Sequence, residues 1–198
     1  MSSFAERVVV PRSGAVKVRP DAPLDLIAIV GCAVATGVGA EGNILEEGPE
    51  HARQLAMEQP ILRNHHLEAL RQVDHPSFKA HSIDITWPID EGPEGLRTRL
   101  ANVCDEAYDA IRGGINVVII SDRNVSASRA PIPSLLATAA VHHHLVREGI
   151  RLQAGLVVES GEPREVHHFA TLIGYGASAV NPYLMFETLA ALEAAGCD

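Results

Sequence analysis

The sequence predicts an α/β fold of parallel β/α units, about half the strand count of a barrel. Three observations predict it. Short β-branched apolar runs recur, Val117-Val-Ile-Ile-Ser-Asp122, Leu156-Val-Val-Glu159-Ser160 and Ala179-Val-Asn181-Pro182, each ending in polar residues. Ile83-Asp-Ile-Thr-Trp-Pro88 ends in the same manner. Amphipathic stretches of helical period alternate with these runs, and glycines close most of them. Such alternation marks parallel strands buried on both faces, with crossover helices between them.

The elements follow in order. Residues 1–40 form an irregular, basic and glycine-rich N-terminal segment. It has possible short strands at Val8–Val10 and Ile27–Val30, and Gly31, Gly37 and Gly39 lack both the dinucleotide and the P-loop spacing. Residues 41–198 form the β/α domain. Asn43 to Asp74 reads as two short helices. Gly48-Pro49 begins the first and Gln59-Pro60 ends it, and Asn64 caps a second that carries Leu67 and Leu70. Phe78 to Trp87 alternates as one strand that Pro88 stops. From Pro93, the residues Leu96, Leu100, Val103, Ala107 and Ile111 share one helical face, and Gly113-Gly114 ends that helix.

Val117–Ile120 is the next strand, and Ser121–Pro133 reads as a loop. The helix after it places Leu135, Ala139, His142 and Val146 on one face, closed by Gly149. Leu152–Val158 is a strand, and Pro163 opens a helix with Val166, Phe169, Ala170 and Ile173 in phase. After Gly174 and Gly176, a short strand at Ala179–Val180 leads to a last helix, Tyr183–Ala195.

Composition narrows the function classes. The 198 residues are 46% hydrophobic and 21% charged, ordinary for one soluble globular domain, while 4% aromatic content leaves the core to Ala, Val, Leu and Ile. A net charge of −9 argues against nucleic-acid binding. Residues 1–20 carry four cations against one acid, so the remainder is more acidic still. The longest apolar stretch, Leu26 to Ala40, is shorter than the roughly 20 residues of a membrane span. Cys32, Cys104 and Cys197 are far apart, which fits a reducing cytoplasm and offers no iron–sulfur ligand set.

Candidate site residues cluster at the ends of the apolar runs, where β/α folds place their chemistry. Asp84, Asp122, Glu159 and Asn181 occupy comparable strand-end positions. They either form a rim that binds a metal or an anionic small molecule, or cap helices and pair with Arg123, Arg129 and Arg164. Arg129, His142 and Arg164 join them as rim or interface candidates. Three adjacent histidines, His142 to His144, point about 100° apart on a helix, so they make a poor common ligand set. Glu165-x-x-His168 is a single copy of a spacing that di-iron bundles use twice. Ser160-Gly161 could cradle an anion, but Glu159 and Glu162 flank it. No nucleophile–base pair stands out.

The chain resembles the central domain of the glutamate synthase large subunit. The residues that carry the resemblance are 43–55, Ile83–Pro88, Ser121–Val125, Arg129–Leu136 and Ala140–Leu145. Val157-Val-Glu-Ser-Gly-Glu-Pro-Arg-Glu-Val-His-His-Phe169, Gly174-Tyr-Gly176 and Asn181-Pro-Tyr183 complete the set, which runs from about Val38 to about Glu187.

The resemblance implies a flavin-domain-like β/α architecture without the cofactor. In that family, a glutamine amidotransferase module releases ammonia. A synthase module holding FMN and a 3Fe–4S cluster then forms glutamate from 2-oxoglutarate. The central domain lies between the two, so the expected role is a structural docking module with those modules as partners. Its catalytic, cofactor and metal residues are expected to be none, for the chain begins Met1-Ser2 and its cysteines do not cluster. The alternative is a stand-alone β/α protein that binds an anionic small molecule or a metal at the strand ends.

Overall fold

The structure, a computed structural model, describes residues 38–40, 54–55, 59–73, 75 and 78–196. The expected strands before residue 31, Cys32, Cys197 and most of the expected helix from Gly48 lie outside them. Within that last stretch Gln54–Leu55 is described and is extended: β2 (Gln54–Leu55) pairs antiparallel with β1 (Val38–Ala40).

Helix α1 (Asn64–Arg71) leads to β3 (Ala80–Asp84), β4 (Thr86–Pro88) and α2 (Gly92–Arg112). Then come β5 (Val117–Ser121), β6 (Arg129–Pro131), α3 (Ser134–Arg147), β7 (Gly155–Glu159), α4 (Val166–Gly174), β8 (Ala179–Asn181) and α5 (Tyr183–Ala194). The main sheet has the order β3-β5-β7-β8, every pair parallel and every neighbour next in line. This is the expected β/α series, and the sheet stays open.

Both faces of the sheet are apolar, which is why its runs do not alternate. On one face, Ile83, Val118, Ile120, Leu156, Val158 and Val180 meet the helices α2, α3 and α4 through Val103, Ala107, Ile111, Ala137, Val141, Leu145 and Leu172. On the other face, Val117, Ile119, Val157 and Ala179 pack on Leu62, Leu67 and Leu70. A closed barrel would fold that second face inward; here α1 lies across it. The chain reaches α1 from the far edge of the sheet. There Val180 N–H donates to the Pro60 carbonyl (2.8 Å) and Leu62 N–H to the Val180 carbonyl (2.9 Å), so residues 60–62 line β8 as a short parallel strand.

Helix α2 buries Val103, Ala107 and Ile111 as its period predicts. Elsewhere the structure departs from the sequence reading. The expected strand 78–87 is two strands, because the Asp84 carboxylate takes the Thr86 N–H (2.8 Å) and turns the chain out of the sheet. β4 then pairs antiparallel with β6, so the expected loop 121–133 contains a strand. Asn64 is the first residue of α1 rather than its cap, and its side chain faces Asn181.

Helix α3 turns Ser134, Ala137, Thr138, Val141 and Leu145 inward, and Val146 outward. Helix α4 begins at Val166, since Glu162 is drawn away to α3, where its carboxylate accepts from Ser134 N–H (2.8 Å) and Oγ–H (2.5 Å). Val166 is exposed, and Leu172 is the buried residue of α4. Helix α5 is largely apolar yet buries no residue.

Candidate functional site at the strand ends

The parallel register sets the last residues of the four strands side by side: Asp84 beside Ser121, Ser121 beside Glu159, Glu159 beside Asn181. Side chains alternate along a strand, so this row projects to the same face as Val117, Ile119, Val157 and Ala179, the face α1 covers. The next residues along, Asp122 and Ser160, form a second polar pair beside the row. Glu159, Asn181, Asp122 and Ser160 are buried, while Asp84 and Ser121 are half-buried.

Glu159 is 1% exposed, and a buried carboxylate needs compensation. Arg71 of α1 and the Ser121 hydroxyl both donate to its Oε2, and Arg123 Nε donates to its Oε1 (3.0 Å). Arg123 is itself held in place. Its Nη2 donates to Glu187 (2.8 Å), and its guanidinium stacks 4.4 Å from the Tyr183 ring centroid. Burial works to lower its pKa, but the Glu187 and Glu159 carboxylates outweigh that and raise it. One carboxylate thus ties α1, two strand ends and α5 together.

Asp122 engages the N–H group that an anion would have used. Its carboxylate accepts from Ser160 Oγ–H (2.6 Å) and from Gly161 N–H (3.1 Å to Oδ1). Burial pushes its pKa up, more than the hydrogen bonds from Ser160, Tyr183 and Gly161 pull it down. Burial and the neighbouring Asp122 push the Tyr183 hydroxyl up in turn.

Asp84 behaves oppositely. Burial works to raise it, but the Thr86 N–H and hydroxyl, the Asn124 amide and Arg129 outweigh that and hold it low. Arg129 reaches it from β6 at 3.3 Å, while also donating to Thr86 Oγ1 (2.8 Å) and to the Thr86 carbonyl (2.9 Å). Asn181 is fully buried, and its amide donates to the Leu62 carbonyl (2.8 Å) and to Asn64 Oδ1 (3.0 Å). Its own Oδ1 has no hydrogen-bond partner among the described residues.

Of the residues singled out in the sequence, Asp84, Asp122, Glu159 and Asn181 stand at the strand ends and Arg129 joins them. His142 and Arg164 do not. Arg164 lies beside α5 with Leu184, Met185, Thr188 and Leu189, and its backbone N–H donates to His168 Nδ1 (3.1 Å). His142 packs near the other end of the sheet, where Arg151 Nε donates to its Nδ1 (3.0 Å). Gly176 presses on that ring, with a φ of +107° and no room for a methyl group, since a Cβ would come within 2.2 Å of Nδ1. Gly176→Ala is therefore expected to cost about 2 kcal/mol, read from urea denaturation.

Among the described residues, no three His, Cys, Asp or Glu side chains gather as a metal site, and no helix is long and apolar enough to cross a membrane. Arg71, Asn64 and Tyr183 were not singled out as site residues in the sequence. Arg71 sits 88 positions before the carboxylate it meets, so no local pattern announces it.

The chain matches the glutamate synthase central domain family over residues 24–197, a match that begins inside the segment read as irregular. It is 45% identical over 157 residues to the NADH glutamate synthase of Schizosaccharomyces pombe, covering 78% of this chain and 7% of that protein. It is 42% identical to the large chain of the NADPH glutamate synthase of Bacillus subtilis, covering 77% of this chain and 10% of that protein. To the chloroplastic ferredoxin-dependent glutamate synthase of Spinacia oleracea it is 44% identical, covering 76% of this chain and 9% of that protein. The chain spans a tenth or less of the length of these three relatives. With its open parallel sheet and matched sequence, the chain belongs to the glutamate synthase central domain family.

Proposed function

We propose that this chain is a structural module of a glutamate synthase, a scaffold on which glutamine amidotransferase and FMN-dependent synthase modules dock, and that it is not catalytic alone. The observation that carries this reading is the closure of the strand-end row. In a catalytic β/α fold those groups face substrate. Here Glu159 answers to Arg71, Arg123 and Ser121, and Asp122 fills the Ser160–Gly161 turn.

The same turn argues against a phosphate-bearing cofactor such as FMN. A phosphate there would meet a carboxylate and find the N–H already engaged. Helix α5 supports the docking role, because Leu184, Leu189 and Leu192 are exposed on a helix with no buried residue.

The test is an assay of the purified chain with glutamine and 2-oxoglutarate, followed by affinity capture with amidotransferase and synthase modules supplied on separate chains. The expected result is no glutamate formed by the chain alone and co-purification with at least one module. Turnover by the isolated chain, or failure to capture either module, would overturn the proposal.

A further inference from the structure

A compact polar group near the opposite end of the sheet joins α3, the entry to β7 and the turn before β8. Arg151 follows α3, Ala154 precedes β7, and Gly176 sits in the turn before β8. The Arg151 guanidinium donates to the Ala154 carbonyl (2.7 Å), to the Gly176 carbonyl (2.6 Å) and to His142 Nδ1 (3.0 Å). Arg151 has no other acceptor among its described hydrogen bonds. The imidazole of His142 lies directly against Gly176, whose backbone conformation is open to glycine.

This geometry dictates a protonation state. A guanidinium only donates, so Nδ1 must be the unprotonated nitrogen and the ring must be neutral with its proton on Nε2. A second proton has only Nδ1 to go to. It would place an N–H against the Arg151 Nε–H and set two cations side by side in a half-buried position.

We infer that His142 and Arg151 form an acid-released latch, which fastens α3 to the turn before β8 while the imidazole is neutral and opens when it gains a proton.

The charged and titratable groups that act on the ring are Arg151 from the following turn and His143 beside it on α3, whose ring centroid is 5.1 Å away. From the turn before β8, what meets the ring is Gly176 backbone, and no carboxylate is among the groups acting on it. Burial, Arg151 and His143 together hold His142 below its ordinary 6.5. The unfolded chain therefore binds this proton more readily than the folded one. The latch is fully closed above the ordinary value and is lost as pH falls through it toward the lower folded value.

The latch is read locally, because the chain has ten histidines and a global pH profile would mix them. Two signals suffice: the His142 imidazole resonances, and amide protection at Gly176 and Ala177. Those amides donate to Ile173 and Leu172 (3.0 Å each). Between pH 8 and pH 5 the ring should titrate below its ordinary value, with Nδ1 unprotonated at neutral pH. Intrinsic-rate-corrected protection at the two amides should fall about tenfold, the equivalent of roughly one hydrogen bond. In His142→Asn, which keeps an acceptor and cannot titrate, that fall should vanish. Protection that is constant with pH in the unmodified chain, an equal fall in His142→Asn, or a ring that titrates at or above its ordinary value would each overturn the latch.

Discussion

The double variant Arg71→Met, Arg123→Met is expected to lose about 4 kcal/mol of folding stability. The cost comes from what is left behind. Glu159 is 1% exposed and would retain only the Ser121 hydroxyl, and an uncompensated buried charge costs about 3–5 kcal/mol. Removing the carboxylate instead is milder. Arg71 and Arg123 are 27% and 41% exposed, so in Glu159→Gln both cations can turn to water, for a loss of about 2 kcal/mol. Adding Glu159→Leu to the double variant should recover most of the loss, because an apolar replacement of the whole cluster removes the desolvation penalty. Urea denaturation of the four proteins checks this order. A double variant no less stable than Glu159→Gln would show that the row is solvated rather than closed.

Leu67→Ala should cost about 3 kcal/mol and lower Tm by on the order of 10 °C. Leu67 is 1% exposed and lies at the centre of the smaller core, where α1 covers the sheet face that a barrel would close upon. It packs with Leu62 and Leu70 against Val117, Ile119, Val157 and Ala179, so truncating it opens a cavity within that core. Leu189→Ala on α5 provides the contrast. That side chain is 54% exposed, and its loss should stay within about 0.5 kcal/mol. A calorimetric scan of the two variants separates a helix that seals a core from one that lies on the surface.

These two cases mark how far the sequence is legible. The β/α series could be read because continuous Val and Ile runs, bounded by glycine and proline, have few other folded solutions. The acids at the ends of those runs were found for the same reason: strand ends are local features. What escaped is non-local. Arg71 meets Glu159 only because residues 60–62 line β8 and carry α1 back across the sheet, a path no short pattern encodes. The β4–β6 pair was hidden because Asp84 captures the Thr86 N–H and breaks a run whose apolar pattern continues unchanged.

The inward face of α3 lies about one residue from the face its periodicity predicts. Alanines and histidines of similar periodicity left its phase weakly determined, and Thr138 can go inside only because its hydroxyl donates to the Ser134 carbonyl (2.7 Å). Pro163 reads as a first helical residue, yet α4 starts at Val166, because Glu162 is committed to the neighbouring helix. Of the rim or interface candidates, Arg129 reaches the row, whereas His142 on α3 and Arg164 in the loop before Val166 lie away from it.

The row, α1 and the bare α5 together underlie the proposed docking role. Sedimentation velocity tests that account most directly. The chain would be mixed with a glutamate synthase large chain from which the matched central region has been removed. The account predicts a co-sedimenting complex that Leu189→Glu on α5 weakens and that Glu159→Gln, where it folds, leaves intact. Independent sedimentation of the two chains at all concentrations up to about 50 μM, where even a weak specific interface associates, would contradict it.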